Sequence, residues 1–366
     1  MGNEYKFFNR KKEEEELKKI LHSDSNLIHF VYGPINTGKT ALLTKVLKDI
    51  PDNYRVFYIN FRGFENRKYD DFVRTLFTPR SDTIMDKVKD KLDIVDATLD
   101  WISGVWQKYN IGIELPSSII KGFLKNNNES NSKDAFNYLE LLFMKMNEKG
   151  MKPVLALDEL QMLKELKRNG YVLHDLFNFM VRITKETHIA HCFAATSDSL
   201  FIEEIYGNAR LKGRCKNFFV DDLEKKEAFE IYENFGFKDK ELAWNYIGGK
   251  LGDMIRLEHE RIFDKSEKNG AELMLRDEIN SLENLLDKIH NKLLPKEIIE
   301  DIKMNEVLDC LKLISENDHI PKTKIKHKIR TLLIEENFLF LDPVTGMVKP
   351  QGQLIRKAMS NVKYEI

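Results

Sequence analysis

The eight residues Gly33-Pro34-Ile35-Asn36-Thr37-Gly38-Lys39-Thr40 constrain this chain more than any other feature in it. Two glycines with four residues between them, followed by Lys and Thr, let backbone amides curl around phosphate oxygens with no Cβ in the way. Ahead of them, Leu27-Ile28-His29-Phe30-Val31-Tyr32 is a nearly continuous apolar run, the pattern of a strand buried on both faces. After them, Ala41 to Leu47 continues as a helix whose positive N-terminal end points at the same anion. Strand, glycine loop and helix together predict an α/β chain that cradles a nucleotide's phosphates along Gly33 to Ala41. Lys39 would reach the β- and γ-phosphates, and the Thr40 hydroxyl would ligate magnesium.

A second strand fits Arg55 to Asn60, and further strand signals stand at Val154 to Leu157, at Ile189 to Ala195 and at Phe218 to Val220. Short apolar strands alternating with helices, among them Phe8 to Leu21 and Asp134 to Lys149, predict a three-layer fold: a parallel sheet with helices on both faces. The strand at 154–157 runs into Asp158-Glu159. An acid at the carboxyl end of such a strand lies beside the phosphate loop, so Asp158 is the candidate magnesium ligand. Glu159 is the candidate base that polarises the attacking water. A third strand end carries Ala195-Thr196-Ser197-Asp198. Thr196 and Ser197 compete there as a hydroxyl that touches the γ-phosphate or the lytic water, while Asp198 can cap the next helix.

Composition narrows the remaining classes. The chain has 366 residues, 42% of them apolar and 32% charged, enough for two or three units with buried cores. Lys and Arg number 58 against 59 acids, for a net charge of -1, so no global field draws it to nucleic acid or anionic lipid. Three cysteines without a metal-binding spacing argue against a disulfide framework and for a reducing compartment. No run approaches the ~20 apolar residues of a membrane span and the N-terminus has no signal-peptide pattern, so a cytoplasmic protein is expected. The apolar stretches near Trp101 and Ile119 are broken by charges and Pro116; they read as part of a helical insertion at about 61–131.

From Leu223 to about His290 the pattern is only helical. Beyond 300, two helices precede Phe338-Leu339-Phe340-Leu341, the turn at 342–346 and Met347-Val348-Lys349, the order of a winged helix. Five basic side chains and no acid stand at 321–330, read as a solvated loop and helix start or as a DNA-binding patch.

Taken together, the chain resembles the archaeal ATPases of the AAA+/STAND branch of P-loop proteins. The likeness rests on Phe8-Asn9-Arg10, the phosphate loop, Leu157-Asp158-Glu159-Leu160-Gln161, Ala195-Thr196-Ser197, Gly213-Arg214, Ile247-Gly248-Gly249 and the run from Asp342-Pro343 to Lys349-Pro350-Gln351-Gly352. It implies an ATPase core over 1–222, with an extra strand between the phosphate-loop and Asp158 strands, a helical lid over 223–290 and a winged helix over 291–366. It further implies ATP or ADP with Mg2+ as ligands, and Phe8, Asn9 and Arg10 near the adenine. Arg214, with Arg210 as its competitor, resembles the arginine that neighbouring subunits present to a γ-phosphate. In the lid, Gly252-Asp253-x-x-Arg256 is closer to replication initiators, which makes Arg256 or the paired glycines the candidate nucleotide sensor. The expected function is an ATP-hydrolysing switch. Its expected partners are a DNA or protein partner at the winged helix and further copies in a nucleotide-dependent homo-oligomer. The alternatives are a DNA-handling ATPase and an ADP-holding signalling or defence module.

Overall fold

The computed structural model describes residues 10–63, 132–165, 171–207, 211–264 and 266–364. Phe8, Asn9, Arg210 and almost all of the expected insertion lie outside these residues.

Five strands make a fully parallel sheet: β1 (Ile28–Tyr32), β2 (Tyr54–Asn60), β3 (Lys152–Asp158), β4 (His191–Thr196) and β5 (Cys215–Phe219). Their spatial order is β2-β3-β4-β1-β5. Strand β4 thus stands between the phosphate-loop strand and the Asp158 strand, pairing Ile28 with Cys192 on one side and Val154 with His191 on the other. Every residue of β1 and β4 is buried, which is why both read as apolar runs without alternation. Strand β5 departs from expectation. It starts three residues earlier than its apolar signal because Lys216 and Asn217, on the open edge of the sheet, mask the pattern.

Side chains alternate between two helical layers. Val31, Val154, Ala156, Phe193 and Ala195 pack under α1 (Lys11–His22) and α2 (Lys39–Lys48). Phe30, Leu155, Leu157, Cys192 and Ala194 face the opposite way, onto α3 (Ser132–Glu148), α4 (Tyr171–Val181) and α5 (Ser199–Tyr206). Helix α1 begins at Lys11, later than its sequence pattern, because Arg10 turns inward as the residue before the helix.

Helices α6 (Lys225–Asn234), α7 (Lys240–Ile247) and α8 (Leu251–Asp264) share a core with the start of α9 (Glu267–His290). The second half of α9, through Leu282, Leu285, Leu286 and Ile289, belongs to the C-terminal core. That core also takes in α10 (Lys296–Ile299), α11 (Met304–Ser315) and α12 (His327–Glu335). Strands β6 (Ile320–Pro321), β7 (Leu339–Asp342) and β8 (Met347–Pro350) form an antiparallel sheet in the order β6-β8-β7. A last helix, α13 (Gln353–Asn361), follows the hairpin; it was absent from the sequence expectation, and its Leu354 reaches back into the lid core. Among the described residues no helix is long and apolar enough to cross a membrane, and the three cysteines are free.

Candidate functional site

The chain leaves β1 at Tyr32 and must turn at once. Gly33 does so at φ 156° with its Cα against β5's continuation; a Cβ there would sit 2.0 Å from the Val220 carbonyl oxygen. The loop then passes Asn36 in the left-handed region and enters α2 after Gly38, at φ 90°. Thr37 is buried and donates to the Pro34 carbonyl over 3.1 Å. The Lys39 ammonium folds back over the loop, donating to the carbonyls of Gly33 (3.0 Å) and Pro34 (2.7 Å). Burial, with the neighbouring Lys250 ammonium next, lowers its pKa to about 7.

Asp158 ends β3 and is 2% exposed. Its Oδ2 accepts from the Thr40 hydroxyl at 2.7 Å and from the Tyr58 hydroxyl at 2.6 Å, and its Oδ1 accepts the Glu159 amide at 3.0 Å. Tyr58 comes from β2, whose register sets Asn60 beside Asp158. Burial first, and the Asp158 carboxylate second, push the Tyr58 phenol well above its ordinary range, so it stays a donor. Thr40 and Asp158 thus offer hard oxygen ligands side by side, the donor set that suits Mg2+ shared with a nucleotide. No cluster of three or more His, Cys, Asp or Glu residues among the described residues makes a self-sufficient metal cage.

Glu159 follows in the left-handed region at φ 58°, a conformation that costs a non-glycine residue roughly 1 kcal/mol. Arg62 holds Oε1, and the Gln161 amide donates to Oε2 at 2.6 Å. The other end of Gln161 accepts from Thr196 Oγ1 at 2.7 Å. Thr196, buried at the end of β4, is therefore wired to Glu159 through one side chain; Ser197 is half-buried just beyond it. Asp198 caps α5, accepting from the Phe201 amide at 2.9 Å.

Arg10 is 2% exposed and binds the loop from outside, donating to the carbonyls of Thr37 (2.6 Å) and Asp221 (2.7 Å). The loop, Asp158, Glu159, Thr196 and Arg10 are thus brought together. Arg214 is not among them: its carbonyl accepts from the Ile28 amide, at the opposite end of the sheet. Five residues of β1 separate that level from Gly33, roughly 16 Å of strand. Arg256 also points elsewhere, pairing with Asp277 (2.5 Å) and Glu278 (2.9 Å) on α9.

The lid does reach the loop, through the Gly252 amide, which donates to the Asn36 carbonyl at 3.0 Å, and through Lys250. Its ammonium donates to the Ile35 carbonyl at 2.9 Å and pairs with Asp222 at 3.3 Å. Just before Lys250, Gly249 packs tightly within the lid, where a Cβ would lie 1.8 Å from the Leu223 carbonyl oxygen. The C-terminal module reaches it too: the Ile35 amide donates to Gln351 Oε1 at 3.2 Å, and the Tyr32 hydroxyl to Asp342 at 2.8 Å. Tyr58, Arg62, Lys250 and Gln351 were given no role from sequence, because each reaches the site only through the way its own element packs beside the loop. Gln161 and Gln351 lay inside quoted motifs, without a role of their own.

A family model described as an ATPase domain predominantly from Archaea matches residues 7–257. The chain belongs to this archaeal ATPase family. A second model, the C-terminal domain of uncharacterized MJ1010-like ATP-binding proteins, matches 268–362. Two uncharacterized ATP-binding proteins of Methanocaldococcus jannaschii are 38% and 39% identical, covering 98% of this chain and 98% and 100% of their own. Among solved structures, a Walker-type ATPase of Pyrococcus abyssi superposes with a TM-score of 0.63 at 14% identity, covering 98% of this chain and 97% of its own. The ORC2 protein of Aeropyrum pernix does so with a TM-score of 0.51 at 12% identity, covering 98% of this chain and 96% of its own. These two likenesses show the P-loop fold. The archaeal ATPase family and its relatives show an adenine-nucleotide-binding ATPase domain.

Proposed function

We propose that this archaeal ATPase is a magnesium-dependent, ATP-hydrolysing switch whose turnover alters how its C-terminal module is presented. The observation that carries this reading is the adjacency of Thr40, in the first turn of α2, to Asp158 and Glu159 at the end of β3, with the Thr40–Asp158 hydrogen bond of 2.7 Å joining the two elements. Bound magnesium would polarise phosphate oxygens and would be held by Thr40 and Asp158. Lys39 exchanges its loop carbonyls for phosphate oxygens. Glu159 accepts the proton of the attacking water once Arg62 lets go of its carboxylate, and Gln161 and Thr196 set the angle of that carboxylate. Arg214, too far from its own loop, is suited to completing the site of a neighbouring copy. The helix, strand, helix and hairpin order of α11 to β8 supports a winged helix.

A DNA-handling role has less support. Of the basic run, Lys322, Lys326 and Lys328 pair with Glu203 (2.6 Å), Glu306 (2.5 Å) and Asp301 (2.7 Å), and Arg330 is buried. The switch reading is tested by steady-state ATPase assays with magnesium. Lys39→Ala is expected to lose nucleotide binding. Glu159→Gln is expected to keep it while turning over roughly 10²- to 10⁴-fold more slowly. Hydrolysis at the parent rate in both variants would remove the catalytic assignment.

A further inference from the structure

The third residue of the phosphate loop, Ile35, is bracketed by two side chains that come from outside the sheet domain. Its amide donates to Gln351 of the C-terminal module at 3.2 Å, and its carbonyl accepts from Lys250 of the lid at 2.9 Å. Both side chains are built in. Gln351 is 3% exposed and its own amide donates to the Leu339 carbonyl at 3.0 Å, which fixes which end faces the loop. Lys250 is 3% exposed and backed by Asp222. The two are also in contact through the backbone: a Cβ on Gly352, the residue after Gln351, would lie 2.3 Å from Lys250 Cε. Neither side chain belongs to the strand-end chemistry of Asp158, Glu159 and Thr196.

Which phosphate this bracket faces follows from Lys39. A phosphate-loop lysine reaches the β- and γ-phosphates, whereas the amides at the start of the helix hold the inner ones. Here the Lys39 ammonium lies against the carbonyls of Gly33 and Pro34, directly before Ile35. The bracket therefore stands at the outer end of the cradle, and the amides from Gly38 onward are left to a diphosphate. A diphosphate leaves the bracket intact, but a third phosphate competes for it. The Lys250 ammonium is drawn from a neutral carbonyl to an anion, a stronger acceptor. Gln351 presents a carbonyl oxygen toward the same place, so it must give way. A ligand shifts a conformational equilibrium only through differential contacts, and this bracket supplies them.

We propose that Lys250 and Gln351, meeting at the Ile35 peptide, are the residues by which this ATPase distinguishes ATP from ADP. Lys250 favours the triphosphate and Gln351 opposes it. The assignment rests on the nucleotide site described above and names its specificity determinants. It also places the first displacement caused by a third phosphate in the lid and in the C-terminal module at once.

The test is equilibrium titration of the full chain with ADP and with the β,γ-imido analogue of ATP, together with amide hydrogen exchange over residues 339–353. Gln351→Ala is expected to tighten the ATP analogue about three- to tenfold, the worth of one hydrogen bond no longer broken, and to leave ADP within twofold. Lys250→Met is expected to weaken the ATP analogue at least tenfold with a much smaller effect on ADP. In the parent protein the analogue, and not ADP, is expected to speed exchange over 339–353. Changes that scale ADP and the analogue equally in both variants would overturn the proposal, since a merely structural role moves both alike. So would identical exchange with the two nucleotides. Failure of the parent to bind either nucleotide would instead bring down the underlying site, and the proposal with it.

Discussion

Gln161 shows how much a single amide can settle. It donates to Glu159 at 2.6 Å and accepts from Thr196 at 2.7 Å, so its orientation is fixed from both ends and the Glu159 carboxylate inherits that orientation. Removing either partner leaves the acid in place but lets it rotate, which lowers turnover more than binding. Gln161→Ala is expected to reduce kcat roughly tenfold to a hundredfold with KM nearly unchanged. Thr196→Val should reduce it by less, and the double variant should be no slower than Gln161→Ala, since both act through one relay. Multiplicative losses in a steady-state double-mutant cycle would show that Thr196 acts on the substrate by itself. At this scale the sequence was informative where a residue's place follows from its neighbours in the chain, as for Lys39 and Thr40 at the loop, Asp158 at its strand end and the cap Asp198. It was silent on Arg62, Tyr58 and Lys250, whose roles depend on which strand ends and lid residues the fold brings beside the loop.

The sheet carries a different liability, two histidines buried among its strands. His29 on β1 and His191 on β4 share the face covered by α1 and α2, where His29 lies 5.6 Å from the Phe193 ring and His191 6.4 Å from Tyr54. Burial lowers both pKa values from 6.5 to about 4; His29 is held down further by His191 and His191 by Lys152. The unfolded chain takes up these protons near pH 6.5 and the folded one only near 4. The stability tied to each neutral ring is therefore complete above pH 6.5 and disappears as pH falls toward 4, on the order of 3 kcal/mol per ring. Urea midpoints should accordingly fall steeply between pH 6.5 and 4, and His191→Phe should flatten that slope while leaving the unfolding free energy at pH 8 within about 1 kcal/mol of the parent. A slope unchanged by the substitution would place the acid sensitivity elsewhere. The strands themselves were largely legible, because burial on both faces leaves an apolar run with no alternation to misread. One strand was read short, and some helices were not read at all. The start of β5 hides behind Lys216 and Asn217 at the sheet edge, and α13 has its apolar contacts divided between the lid and C-terminal cores.

For the whole molecule, the sequence drew a boundary between lid and C-terminal module near residue 290, yet the packing does not respect a boundary there. Helix α9 is continuous from Glu267 to His290; its Ala271 and Met274 fill the lid core and its Leu282 to Ile289 fill the C-terminal one. Leu354 from α13 then returns to the lid. The C-terminal hairpin is fastened to the sheet domain as well, through Tyr32 on Asp342, Lys349 on Asp221, and Phe340 stacked on Phe219 with ring centres 5.8 Å apart. A chain cut after Asp264 would expose the lid side chains that meet Ala271, Met274 and Leu354, and one cut after α9 would expose Leu282, Leu285, Leu286 and Ile289. Neither cut leaves a closed core, so neither fragment has the burial needed to offset its chain entropy. The lid and C-terminal module should therefore unfold together. Differential scanning calorimetry of the full chain is expected to show no separate transition for residues beyond 264, and the fragment ending at Asp264 should bind a hydrophobic dye and precipitate on warming. A soluble fragment that melts cooperatively and still binds ADP would mean that the lid closes its core without α9, and that the C-terminal module is an appendage, not a structural part of the lid.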